Sequence, residues 1–267
     1  MRELLYLSDQ KLHRVWMEAS NAWAGGRWRW SAAAKVPPFA SIDVSREPGG
    51  GEEVAVSRKL ERVIGYLGDV EDDITAAEVR PHQWVRFDLS LGYGTACRDD
   101  QCRGHTSENS PRHTSPDDVA LFVGTVGADV TGQTRDLDVL LCGSVHHLRD
   151  RVSSLDRLGS DTDWMHAIIT KLYEREQRGL IAIPTQLTEL VPRTGTAGPE
   201  QQAHFVHGVA ANNHPKSQRG RLCGYARVLM NIDNPEFPTR LIMATPLYVE
   251  VPPPAAALGR KRWWRRS

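Results

Sequence analysis

Trp84-Val85-Arg86-Phe87-Asp88-Leu89-Ser90-Leu91 alternates strictly, with Val85, Phe87, Leu89 and Leu91 on one side and Trp84, Arg86, Asp88 and Ser90 on the other. A two-residue period is that of a pleated strand with one buried face. Val119–Val123 and Leu137–Cys142 supply two further strands, and Gly143-Ser144 is expected to break the second before a helical turn at His146-His147-Leu148. Outward from this centre, Glu3–Leu7 reads as a short buried strand, followed by a helix capped at Ser8-Asp9 with Leu12, Val15, Trp16 and Ala19 on one face. Residues 20–57 read as loops with one or two short strands, and a helix from about Ser57 stops at Gly68. A long helix is expected over Asp161–Arg178, ended by Gly179, with weaker ones near Pro184–Val191 and Pro199–Ala211. Leu222–Ile232 and Arg240–Val251 return to strand and pair as a hairpin, with Pro246 marking a bulge or an edge. Strands at both ends with helices between them predict an α+β fold: a mixed, largely antiparallel sheet with helices packed on it, as a single domain over residues 1–254.

The 267 residues are 40% apolar and 25% charged, which suits a folded chain and disfavours global disorder or a coiled coil. Met1-Arg2-Glu3 opens into strand sequence rather than a signal peptide, and no apolar run nears the roughly 20 residues of a membrane helix. With only four cysteines, a reducing cytoplasm is the expected setting. Lys+Arg (33) equal Asp+Glu (33), yet the neutrality is segregated. Arg260, Lys261, Arg262, Arg265 and Arg266 leave residues 1–259 with 28 basic against 33 acidic groups, a net of −5. The body of the chain is therefore a poor nucleic-acid surface. Trp263 and Trp264 stand among those cations, in a tail (255–267) expected to be disordered until it meets an anionic membrane, single-stranded nucleic acid or a protein partner.

Three further groups of residues could carry chemistry. Gly143-Ser144 before a helical turn would present backbone N–H groups and a hydroxyl to a phosphate or carboxylate, with His147 nearby. The plainer alternative is a tight turn and a cap. No Gly-x-x-x-x-Gly-Lys run is present and no Gly-x-Ser-x-Gly elbow surrounds Ser144. Cys97, Cys102, His105 and His113 lie in a polar insert loop, about 95–117, and could hold a zinc ion. Four protein ligands would leave no open position, so such a zinc would be structural; the alternative is plain free thiols, and no cofactor is required. Arg86 and Asp88 beside Trp84 could bind an anion or a ring, or simply form a solvated or ion-paired face.

Four segments occur in order: Leu4–Leu12, Gln83–Leu91, Leu121–Leu148 with Gly143-Ser144-Val145-His146-His147-Leu148, and Ala244-Thr245-Pro246-Leu247-Tyr248-Val249-Glu250. Together they resemble an uncharacterised actinobacterial family, a domain of unknown function. That family pairs a Tyr-x-Ser-Asp-x-Lys start with a Gly-Ser-x-x-His-Leu centre and a Thr-Pro-Leu-Tyr-Val end. The resemblance implies a single α+β domain, a bacterial cytoplasmic setting and an accessory or sensing role, and it carries no biochemical activity. The Cys/His loop and the Arg/Trp tail depart from its pattern. The leading expectation is a non-enzymatic sensor that binds a small anion where Gly143, Ser144 and His147 meet Ser8, Asp9 and Lys11. The rivals are an adaptor docking through the tail, and a hydrolase or transferase with His146 or His147 as base and Asp9 as partner.

Overall fold

The computed structural model describes residues 3–24, 51–68, 72–96, 119–148, 163–193, 197–213 and 219–252. The Cys97–His113 loop and residues 260–266 lie outside the described residues. In chain order the elements are β1 (Glu3–Leu7), α1 (Asp9–Ala24), α2 (Gly51–Gly68), β2 (Asp72–Asp73), β3 (Trp84–Ala96), β4 (Val119–Val126), α3 (Ala128–Thr131), β5 (Leu137–Ser144), α4 (Asp163–Gln177), α5 (Thr185–Leu190), α6 (Pro199–Asn213), β6 (Gly220–Ile232) and β7 (Arg240–Val251). The fold class is α+β, as the alternating strand implied. Contacts group the chain into two compact units, Asp9–Glu71 and the remainder.

In the first unit α1 buries Leu12, Val15 and Ala19, while α2 buries Leu60, Val63, Tyr66 and Leu67. The Arg62 guanidinium lies 5.6 Å from the Trp16 ring, a cation–π contact that ties the two helices together. Helix α2 starts six residues earlier than its apolar stripe indicated.

The second unit is built on a closed ring of five strands, β7-β5-β4-β3-β6 and back to β7, with β1 added on β7 and β2 on β3. Among the described residues only the β5–β7 and β2–β3 pairs are parallel. Closure depends on two long strands that change partners midway. One edge of β3 pairs with β2 at Asp72↔Val85 and then with β4 at Gly92↔Val123. One edge of β7 pairs with β5 through Leu141↔Ala244 and then with β1 from Leu7↔Tyr248. The second change falls at Pro246-Leu247. There the β6 register slips, with Tyr225 opposite Tyr248 but Ala226 opposite Pro246, so the expected proline bulge is present. The freed Leu247 carbonyl accepts the Ser8 N–H at 2.8 Å.

Both faces of the central strands are buried, so their apolar runs serve two cores. Phe87, Phe122, Leu137, Val139, Leu141, Val228, Ile242 and Ala244 fill the ring. The intervening Leu121, Val123, Leu140, Leu241 and Met243 face outward, under Ile168, Leu172, Phe205 and Val209 of α4 and α6. The other face of β3 is polar, and its charges are paired. Asp88 accepts two bonds from Arg221, at 2.7 and 2.6 Å, and Arg86 lies 3.8 Å from Asp73. Gly179 ends α4 with φ 68°, a left-handed cap, as its place in the sequence predicted.

One local expectation is corrected. Gly143-Ser144 does not break the strand: β5 continues through both, pairing Gly143 with Ala120 and Ser144 with Val119. A single 3-10 turn, Val145–His147, follows. The glycine serves close packing, because a Cβ at 143 would stand 2.3 Å from the Tyr6 hydroxyl and 2.7 Å from its ring.

Candidate functional site

The expected site residues divide between the two units. Asp9 and Lys11 belong to α1, whereas Ser8, Gly143, Ser144 and His147 belong to the barrel unit. The His146 side chain is outside the described residues. His147 meets the Tyr6 ring edge-on at 5.6 Å, and Tyr6 in turn meets Phe122 at 6.1 Å. This end of the barrel is thus an aromatic cluster closed over Gly143. Gly143→Ala is expected to destabilise the fold by about 2 kcal/mol, as overpacking does. Urea unfolding measures it, and an unchanged midpoint would show that Tyr6 can yield.

The polar groups gather at the opposite end. The eight residues of β5 span about 23 Å at ~3.3 Å each, and where β5 and β7 begin, three loops converge. These are residues 74–83, 127–136 and 233–239. Arg240 and Arg135 between them join all three. Arg240 precedes Ile242 by two residues and so shares the inward face, yet as the first residue of β7 it sits at the mouth. Its Nε donates to Asn231 Oδ1 at 2.9 Å, and its Nη1 to the Ala76 carbonyl at 3.1 Å and Gln133 Oε1 at 3.0 Å. Arg240 is 3% exposed, and its Nη2 is buried without a partner. All three acceptors are neutral, and among the described residues no carboxylate forms an ion pair with it. Burial pulls its pKa down, offset in part by Asp233. Arg135 donates to the Asn234 and Phe237 carbonyls, at 2.9 and 3.0 Å, and pairs with Asp233. Ala77, Gln133, Thr134, Arg135, Asp233 and Arg240 line a cleft of about 250 Å³.

A second polar cluster lies one strand face away, under α6. Asp138 alternates with Leu137 and Val139 and therefore points outward. It accepts from Thr125 Oγ1 and Thr239 Oγ1, both at 2.7 Å. His207 places Nε2 3.2 Å from the Gly124 carbonyl and Nδ1 3.4 Å from Asp138 Oδ2. A carbonyl can only accept, so Nε2 carries a hydrogen, and a neutral ring then turns the Nδ1 lone pair toward the carboxylate. The 3.4 Å separation is long for a charge-assisted bond and fits that neutral state. Burial lowers the His207 pKa, against the pull of Asp138. One turn earlier His204 stacks on Phe237 at 4.0 Å, and its buried Nε2 has no partner. Burial is the main cause that brings its pKa down to about 4, with Asp138 opposing. Among the described residues no three His, Cys, Asp or Glu side chains are grouped to hold a metal ion.

Sequence reasoning passed over Arg240, Arg135, Asp138, His204 and His207. Two signals were available. Asp138 is the lone charge in the Leu137–Cys142 run. His204 and His207 are spaced i, i+3 on a helix whose residues Ala203–Val209 are buried almost all round.

A family model described as a family of unknown function (DUF7019) matches residues 2–252. No curated protein matches the chain, and neither does any solved structure.

Proposed function

Because the chain belongs to DUF7019, a family whose description assigns no activity, we propose its role from geometry: a non-enzymatic accessory or sensor domain that holds a small anion in the cleft at the barrel mouth. One observation carries this reading. Arg240 is a buried cation whose hydrogen bonds all go to neutral groups and whose Nη2 has none. An unpaired buried charge costs several kcal/mol, and an anion bound in the cleft would offset it. Barrel mouths are frequent ligand sites, and this one is preassembled by side chains that bind three loops to each other. The lining offers donors and one carboxylate already paired with Arg135, chemistry suited to holding a ligand rather than transforming it. Relative to the sequence expectation, the proposed anion site moves to the other end of β5. A bacterial cytoplasmic setting belongs to the same proposal; among the described residues no helix is long and apolar enough to cross a membrane.

The test is thermal and chemical unfolding in formate, acetate or inorganic phosphate, with chloride balancing ionic strength so that screening stays constant. An anion at a hundredfold excess over its Kd should stabilise the fold by roughly 2.7 kcal/mol. Arg240→Gln should abolish the response. Where that variant fails to fold, Arg135→Gln, which leaves the three bonds of Arg240 in place, should weaken binding at least tenfold. An unfolding midpoint that no anion moves, or a response that survives in Arg135→Gln, overturns the reading.

A further inference from the structure

From the composition of the same cleft, and resting on that anion-binding reading, we infer that its ligand is a small zwitterionic amino acid rather than a phosphate. Two guanidinium groups, Arg135 and Arg240, face one carboxylate, Asp233, so the lining carries a net charge of +1. A ligand with one carboxylate for the guanidiniums and one ammonium for Asp233 meets both signs. A phosphate dianion would exceed the net charge and set its second charge beside Asp233.

Donors for a ligand carboxylate are at hand. Nε and Nη1 of Arg240 are committed to Asn231, Ala76 and Gln133, and Gln133 spends its own amide nitrogen on the Thr75 carbonyl at 2.9 Å. Arg135 is committed to two carbonyls and Asp233. What remains, the hydroxyl and amide of Thr134, the Nε hydrogen and one Nη2 hydrogen of Arg135 and one amide hydrogen of Gln133, can serve the two oxygens of a carboxylate, with the buried Arg240 charge behind them. Asp233 stands on the rim with its side chain 65% exposed, and Arg135 occupies only its Oδ1. A carboxylate at that place attracts a ligand ammonium, while the buried Arg240 attracts the ligand's own carboxylate. About 250 Å³ is room for roughly eight waters at ~30 Å³ each, the scale of a few-carbon amino acid.

Calorimetric titration with glycine, alanine, acetate, methylamine and inorganic phosphate at fixed ionic strength tests this. The two amino acids should bind at least tenfold more tightly than acetate, phosphate should bind more weakly than acetate, and methylamine should show no heat of binding. Asp233→Asn keeps an acceptor for Arg135 but loses the charge, so it should bring glycine down to the acetate level and leave acetate unweakened. Phosphate binding above acetate, or an unchanged glycine-to-acetate ratio in Asp233→Asn, defeats the amino acid assignment and leaves the anion site standing. Failure of every compound to bind removes both.

Discussion

Gly224→Ala should cost at least about 3 kcal/mol of stability, at the top of the range for overpacked cores. The residue sits in β6 between Phe87 of β3 and Val249 of β7. A Cβ built there lies 2.1 Å from the Tyr248 carbonyl oxygen and 2.9 Å from the edge of the Phe87 ring. The first obstacle is backbone held in the β6–β7 ladder, which cannot turn away as a side chain can. Relief would require parting two strands of a closed barrel, and a closed barrel has no free edge through which to relax. Gly65→Ala in α2 is the internal control: nothing lies within 4 Å of its added methyl, and replacing a helical glycine should gain up to about 1 kcal/mol. Equilibrium urea unfolding of both variants decides the matter. A Gly224→Ala loss below about 1 kcal/mol would mean that the ring does not close as tightly as described.

Acid should weaken the fold more than a surface histidine would. His204 titrates at about 4 in the folded chain and at 6.5 when unfolded, so the folded form keeps the ring neutral where the unfolded form takes up a proton. The stability is fully present above pH 6.5 and is lost as pH falls from 6.5 to about 4. At 1.36 kcal/mol per pH unit, that is roughly 3 kcal/mol. His207, whose pKa is also lowered by burial, adds a loss of the same sign. His204→Phe keeps the stack on Phe237, deletes the orphaned Nε2 and should remove His204's share of the acid loss without lowering stability at pH 7. Unfolding free energies of both proteins at pH 7 and pH 4.5 give the answer. Equal acid losses in wild type and variant would contradict this assignment.

The legible parts of the chain were those where one physical preference acts alone. The alternation in β3, the Gly179 cap and the Pro246 bulge follow from local geometry, and each is found where the residues placed it. Gly143 was misread because glycine has two uses. Its freedom of φ suggested a turn, whereas its lack of a side chain was what mattered, and only Tyr6, some 140 residues away, shows which. Arg240 was read as no more than the start of a strand. Its meaning lies in Ala76, Gln133 and Asn231, which no local period connects. Barrel closure itself was hidden for the same reason, since β3 and β7 look like ordinary long strands until their midway changes of partner are seen.

Parallel pairing of β5 with β7 separates the two ends of the barrel into regions with different freedom to vary. The loops leading into these strands meet at the cleft mouth, where a change of length in either would disturb the residues Arg240 gathers. Ala96 and Val119 are paired at the other end. The segment joining them is attached about 20 Å from the cleft, at ~3.3 Å per strand residue. Lengthening such a connection costs little, since closure entropy grows only logarithmically. A change at that end, in length or in chemistry, can therefore leave the residues around the cleft undisturbed.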